Sequence, residues 1–227
     1  MDVIIKIPLN TLGFNRETEL DHKWLDLRID IMAKYVFPSL IAQTDSNFHL
    51  FIATRKETQN YVSEKCLPYA VTLNSTIIST PEGIGADVRS VITGSKFLEV
   101  RLNSDDCYHI DFIKRLKAVQ VKNTTEAIIA PNGYMWYQDV DVIVKREFPS
   151  PPFYGFIYDT QKFIDGFKYR PKRGHSGVKD MEHVLMPDRN WLWVVWGGNH
   201  KIVRGAEYPD YRKFQKVSKS VLKEFGL

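Results

Sequence analysis

Disulfides, thiolate metal sites and membrane spans have little to be built from in this sequence. Only two cysteines occur in 227 residues, Cys66 and Cys107. No Cys-x-x-Cys spacing accompanies them, so neither a disulfide framework nor a zinc knuckle is indicated, and a reducing, intracellular compartment is the expectation. No run of about 18 uncharged apolar residues exists, so no bilayer-spanning segment is expected. The apolar start Met1–Pro8 is interrupted by Lys6 and is too short to read as a leader. Internal repeats and low-complexity tracts are absent. Charge of one sign is not in strong excess either: 31 Lys and Arg against 27 Asp and Glu leave a net charge of +4. That balance permits an anionic partner without requiring one.

What is present is the composition of an ordinary globular chain, 44% hydrophobic and 26% charged, able to bury a core without covalent staples. The positive excess is partly local. One cluster is Lys168, Arg170, Lys172 and Arg173, and another is Arg212, Lys213, Lys216, Lys219 and Lys223. Such clusters hold phosphates, nucleic acid or anionic glycans, or simply form a solvated face.

The hydrophobic pattern predicts strands at Val3–Ile7, Phe48–Ala53, Leu73–Ile78 and Phe97–Leu102, with Leu9–Glu19 as a polar loop. Helices are predicted at Trp24–Phe37, with a break at Pro38, at Asp87–Thr93 and at Tyr108–Val119. This alternation argues for an α/β fold whose central sheet is mainly parallel and flanked by helices. The second half has a mixed texture. Short strand-like runs at Ala127–Ala130, Tyr134–Gln138, Val140–Lys145, Phe153–Tyr158 and Trp191–Val195 are divided by turn signals such as Pro131-Asn132-Gly133, with a short helix at Lys162–Lys168. With no flexible linker between the halves, 1–227 reads as a single domain and the second half as completing the same sheet.

Ligands of parallel sheets sit at the carboxyl ends of strands, and Asn103-Ser104-Asp105-Asp106 falls directly after the fourth strand. Adjacent carboxylates there repel one another, and burying them unpaired is costly. A divalent cation with oxygen ligands, Mg²⁺ or Mn²⁺, relieves that cost; a plain helix N-cap is the competing reading.

Four stretches, in this order, resemble the rhamnosyltransferase family, a GT-A-like group of bacterial and phage glycosyltransferases. They are Trp24-Leu25-Asp26-Leu27-Arg28 running on to Phe37–Thr44, the strand Phe48–Ala53, Val100–Asp106 against a family pattern Arg-Leu-Asp-x-Asp-Asp, and Trp191–Asn199 with Val203-Arg204-Gly205. The resemblance implies a GT-A-like α/β domain, 1–120 binding a nucleoside diphosphate sugar and 121–227 facing the acceptor, with a cytoplasmic location in a bacterium or phage-infected host. It implies metal-dependent transfer of a sugar to an acceptor hydroxyl on a glycan, or on a hydroxymethylated base of phage DNA.

Asn103, Asp105 and Asp106 would hold Mn²⁺ or Mg²⁺, with His200 or His175 standing in for a family histidine that is Trp196 here. Asp180 and Glu182 are the candidate catalytic bases. Arg28, Arg89 and Arg101 are candidates for binding the donor, Arg28 facing the nucleotide and Arg101 holding phosphate or neutralising a carboxylate, and Gly197, Gly198, Asn199, Lys201 and Arg204 for a lid over the diphosphate. Trp136 and Trp196 are candidate acceptor platforms, whereas Trp191 and Trp193 share one strand face and read as core. Each cation also has a reading as an intramolecular ion pair, and Asp180 and Glu182 as a solvated acidic turn. Asn103 in place of an aspartate, Trp196 in place of the histidine, and Thr54-Arg55 where an aspartate for the base is common put donor identity in question. They also motivate an alternative, a non-catalytic sugar- or nucleic-acid-binding module on a degenerate GT-A fold. A metal-dependent phosphohydrolase is a third reading. Oligomeric state is not legible.

Overall fold

The computed structural model describes residues 1–11, 15–73, 76–197 and 211–227. Its strands, in chain order, are β1 (Asp2–Pro8), β2 (His49–Ala53), β3 (Thr76–Ser79), β4 (Lys96–Arg101), β5 (Cys107–Tyr108), β6 (Ala127–Ile129), β7 (Asn132–Tyr137), β8 (Val142–Glu147), β9 (Tyr154–Asp159), β10 (Lys172–His175), β11 (His183–Leu185), β12 (Arg189–Val195) and β13 (Lys216–Val217). Its α-helices are α1 (Arg16–Leu20), α2 (His22–Ile31), α3 (Phe37–Ile41), α4 (Gln59–Thr72), α5 (Ile84–Val91), α6 (Phe112–Ala118) and α7 (Thr160–Ile164).

The expected α/β architecture is present. Seven strands form one sheet in the order β11-β6-β9-β4-β1-β2-β3. Within it β1 runs parallel to β2 and β4, β2 to β3, and β11 to β6; β9 alone runs against its neighbours β4 and β6. Central strands of such a sheet are covered on both faces. In β1 this is why Val3, Ile4, Ile5 and Ile7 are all buried. Val3, Ile5 and Ile7 face α2 and α4 through Leu25, Ile29, Val62 and Cys66. Ile4 and Phe97 face α5 and α7 through Ile84, Val88 and Phe163.

The second half does not simply complete that sheet. Only β6, β9 and β11 join it, while β13-β8-β7-β12-β5 form a second sheet of five strands. Met135, Tyr137, Trp191 and Val195 from this second sheet share one core with β1, β4 and α2. Its opposite face packs Tyr134, Leu192 and Val194 against Ile31, Tyr35 and the C-terminal Val221 and Phe225. Gly133, which reads as a turn residue, lies inside β7 because a Cβ there would meet the Trp191 ring at 2.1 Å. The absent side chain leaves room for the indole, which stacks on Phe153 at 4.6 Å.

Pro38 does not end the helix before it. Instead α2 continues through a wide turn at Met32–Val36 into α3, with Pro38 in the first turn of α3, where its missing N–H costs nothing. Phe37 N–H bonds the Met32 carbonyl five residues back, the π spacing. The predicted Tyr108–Val119 helix is shorter, because Cys107–Tyr108 pairs with β12 and α6 begins only at Phe112. Among the described residues, no helix is long and apolar enough to cross a membrane.

Candidate functional site

The polar turn after β4 is held from both sides. Leu102 N–H bonds the Lys6 carbonyl of β1 at 3.0 Å, and the Tyr108 hydroxyl donates to the Arg101 carbonyl. Tyr108 is itself buried and stacked on Phe112 at 3.6 Å. Four consecutive polar residues therefore leave an apolar strand on a rigid stem, at the end of the sheet where β1 and β2 also terminate.

The two aspartates of that turn are not equivalent. Asp106 is 0% exposed. Its Oδ1 accepts the Val194 backbone N–H at 3.1 Å and its Oδ2 accepts Asn103 Nδ2 at 2.7 Å. Burial pushes its carboxyl well above the usual range, and the charge of Asp105 adds to the rise; the bonds from Asn103 and Val194 and the Arg28 charge oppose it. Asp106 is thus a strut joining the strand-end turn to β12 of the second sheet.

Asp105 faces Arg28 of α2. Arg28 Nη1 lies 3.4 Å from Asp105 Oδ2, its Nη2 donates to Ser104 Oγ, and Trp196 Nε1 donates to the same Asp105 oxygen at 3.3 Å. The guanidinium lies near two indoles, 6.0 Å from the Trp24 ring and 5.8 Å from that of Trp196. Trp24 and Arg28 are four residues apart and so share one face of α2.

These groups fit a divalent cation poorly. Asp106 has both oxygens occupied by N–H donors, and Asn103 offers its carbonyl oxygen to Arg101 Nη2 at 3.2 Å. Trp196 brings a donor where the resemblance implies an imidazole. Among the described residues, no group of three or more His, Cys, Asp or Glu side chains could hold a metal ion.

Beside this turn, at the ends of β1, β2 and β3, lies a cleft of about 690 Å³ lined by Thr11, Arg16, Arg55, Lys56, Glu57, Pro81 and Glu82. Buried Asn10 organises its floor. Its Nδ2 donates to the Glu19 carbonyl (2.8 Å) and Thr58 Oγ1 (2.9 Å), and its Oδ1 accepts from Thr54 Oγ1 (2.8 Å) and Arg55 N–H (3.0 Å). Arg55 is tied through Nε to Glu19 Oε2 at 2.8 Å. A second cleft, about 530 Å³, lies at the start of β7 and β12. Its cation Arg115 is spent on Asn190, His109 and the Arg189 carbonyl.

The structure gathers some sequence candidates and separates others. Arg28, Asp105, Asn103, Asp106 and Trp196 meet in one network, and Arg101 joins it through Asn103. Trp136 pairs in register with Val194 and packs with Trp196 on the same apolar cluster. Trp191 is fully buried, in keeping with a core role. His175 lies on β10 with much of its surface exposed; partial desolvation where its ring meets the protein, and then the Arg101 charge, lower its pKa.

Asp180 and Glu182 are not brought to Asp105. Asp180 is exposed and paired with Arg173 at 2.5 Å. Exposed Glu182 precedes β11, three strand positions from β4, which is roughly 14 Å at the usual strand spacing. Arg89 is exposed on α5, and Gly197 is exposed with nothing near its missing Cβ. Gly198, Asn199, His200, Lys201 and Arg204 lie outside the described residues. Sequence reasoning gave Ser104 and Trp24 no role of their own, and of the β1–β3 cleft it singled out only Thr54-Arg55, as the place where an aspartate for the base is common. The four-residue spacing of Trp24 and Arg28 was a legible signal for the first wall of the site.

The model of a family described as "Putative rhamnosyl transferase" matches residues 6–154. No curated protein matches the sequence. Among solved structures, S. aureus TarS is similar at 13% identity with a TM-score of 0.44, covering 86% of this chain and 37% of that one. Its fragment 1-349 is similar at 13% identity and a TM-score of 0.45, covering 86% and 60%. The same fragment in complex with UDP gives 13% and 0.42, covering 86% and 61%. The chain therefore spans between about a third and three-fifths of the length of these structures.

Proposed function

The chain belongs to the rhamnosyl transferase family, and from that membership we propose that it moves a sugar from a nucleoside diphosphate donor to an acceptor hydroxyl at the Asp105 end of β4. The observation that carries this reading is the adjacency of two features along one sheet edge. The cleft at the tips of β1–β3 has room for a nucleoside. The neighbouring strand delivers a carboxylate, an arginine and an indole donor to one point. A donor laid along the strand tips, base in the cleft, would bring its diphosphate and sugar to Asp105. Trp136 and Trp196, on the second-sheet side of the same point, would face the acceptor.

A glycan acceptor suits these aromatic walls; a base of DNA is the second acceptor class, motivated by the net charge of +4. The non-catalytic alternative has no comparable support, since a carboxylate is retained at Asp105 beside Arg28. Incubating the protein with UDP-, dTDP- and GDP-sugars and following release of the free nucleoside diphosphate tests the reading. Release from at least one donor, lost in Asp105→Asn, is expected. Intact donors together with a raised melting temperature would return the chain to the class of binding modules, and intact donors with no shift would sink the reading. DNA as acceptor would show itself by activity falling steeply with added salt, because phosphate contacts release counterions.

A further inference from the structure

We propose that Arg28, rather than a divalent metal ion, is the cation that meets the donor diphosphate in this enzyme. The proposal deepens the reading above and rests on it. Three observations converge. The oxygens that would gather around a metal are already bound by N–H donors, at Asp106 by Val194 and Asn103 and at Asn103 by Arg101. Asp105, the carboxylate on the open side of the turn, holds Arg28 and the indole N–H of Trp196 on one oxygen. Trp196 itself stands where an imidazole ligand is implied.

Arg28 is built for the task. Its side chain is 14% exposed and that of Asp105 12%, so the pair sits at the mouth of the site instead of in bulk water, where ion pairs are screened. Its contacts with Asp105 and Ser104 use the terminal nitrogens but leave further N–H groups on them. Nε is buried with no hydrogen-bond partner among the described residues. Its bonds to Asp105 and Ser104 restrict the guanidinium, and two indole rings lie 6.0 and 5.8 Å from it. A planar, permanently charged fork in a restricted orientation matches two phosphate oxygens, which an ammonium does not.

In transfer, the bond from the anomeric carbon to the diphosphate oxygen breaks and its electron pair stays on that oxygen. The acceptor oxygen bonds to the anomeric carbon and its proton passes to solvent. The nucleoside diphosphate leaves with one more unit of negative charge. Arg28 donates to that growing charge, and Asp105 and Ser104 hold the guanidinium in place, so little reorganisation is needed at the moment of reaction.

The test measures binding and chemistry separately. Calorimetry with UDP, dTDP and GDP, in EDTA and again in Mn²⁺, is expected to give affinities within about threefold of each other for whichever nucleotide binds. Donor breakdown is expected to persist in EDTA. Arg28→Gln should weaken diphosphate binding at least tenfold while affecting the matching monophosphate much less, and Arg28→Lys should recover only part. Thermal melts of both variants show that they fold, and Arg28→Lys keeps the test open should Arg28→Gln fail to. Electron paramagnetic resonance of Mn²⁺ supplies the opposing outcome. A bound-Mn²⁺ signal that appears with nucleotide and vanishes in Asp105→Asn, with binding abolished by EDTA, overturns the proposal and leaves the glycosyltransferase reading intact. If no nucleoside diphosphate binds under either condition, the parent reading falls and this one with it.

Discussion

Asp105 and Asp106 are consecutive residues that belong to two different regions of the molecule. The tip of the first sheet is polar and only slightly exposed, and there Asp105 meets an indole N–H and an arginine that also holds the Ser104 hydroxyl. The seam between the two sheets is closed. There Asp106 is sealed from water and spends both oxygens on Asn103 and on the backbone of β12. Successive side chains leave a turn in divergent directions, so one carboxylate serves chemistry at the rim while its neighbour holds the rim to the rest of the protein. The lesson is that a paired acidic motif need not be a paired ligand. The partners each carboxylate meets, a cation and an indole in one case and an amide and a backbone N–H in the other, divide the roles.

The largest expected effect breaks the seam. Asp106→Ala removes the buried carboxylate that accepts from the Val194 N–H and the Asn103 amide, at a cost of about 2–4 kcal/mol. For a chain of this size that lowers the melting temperature by on the order of 10 °C. A melting temperature within two degrees of the wild type, read by circular dichroism, would show that the strut carries nothing. The rim should respond in the other currency. Asp105→Asn is expected to reduce donor turnover by roughly a hundredfold, the scale of losing one preorganised electrostatic contact, with a melting shift of only a few degrees. Equal loss of stability in the two variants would erase the distinction between the regions.

A smaller effect sharpens the same comparison through pH. Burial raises the Asp106 carboxyl above 3.8, its unperturbed value, so in the window between 3.8 and the raised value the folded state binds more protons than the unfolded one. The group's stabilising contribution is complete below 3.8 and is lost as pH climbs through the native value. Stability should therefore decline with rising pH across that window, and Asp106→Asn should flatten the slope. An unchanged slope in urea titrations at a series of pH values would remove the assignment. The smallest effect is expected furthest from the rim. Glu182→Gln and Asp180→Asn should leave turnover within about twofold, because neither reaches Asp105. A large loss in kcat would mean that the loop ahead of β11 closes onto the site.

The strand-tip region was legible because its signals are local. The apolar run Phe97–Leu102 breaking into Asn103–Asp106 marks the end of a buried strand, and Trp24 with Arg28 keeps helical spacing. The seam was not legible, because Val194 is 88 residues from Asp106 and nothing near either announces the other. Helix α4 escaped for a different reason. Pro68 reads as a breaker inside it, and only Val62 and Cys66 of its fourteen residues are buried, too narrow a stripe to mark a period. The second sheet escaped because β5 at Cys107–Tyr108 finds β12 only at Trp191–Leu192, far along the chain. Asp180 and Glu182 were chosen on distance along the chain, which carries no information about which strand edge they occupy.

The wide turn at Met32–Val36 divides one helical rod into two independently phased halves. A residue in an α-helix advances by about 100° around the axis, so the additional residue in that turn resets the azimuth of everything beyond it. The upstream half can aim Arg28 at the rim while the downstream half keeps Phe37 and Leu40 pointed inward. Shortening the segment by a single residue would force a choice between the two headings.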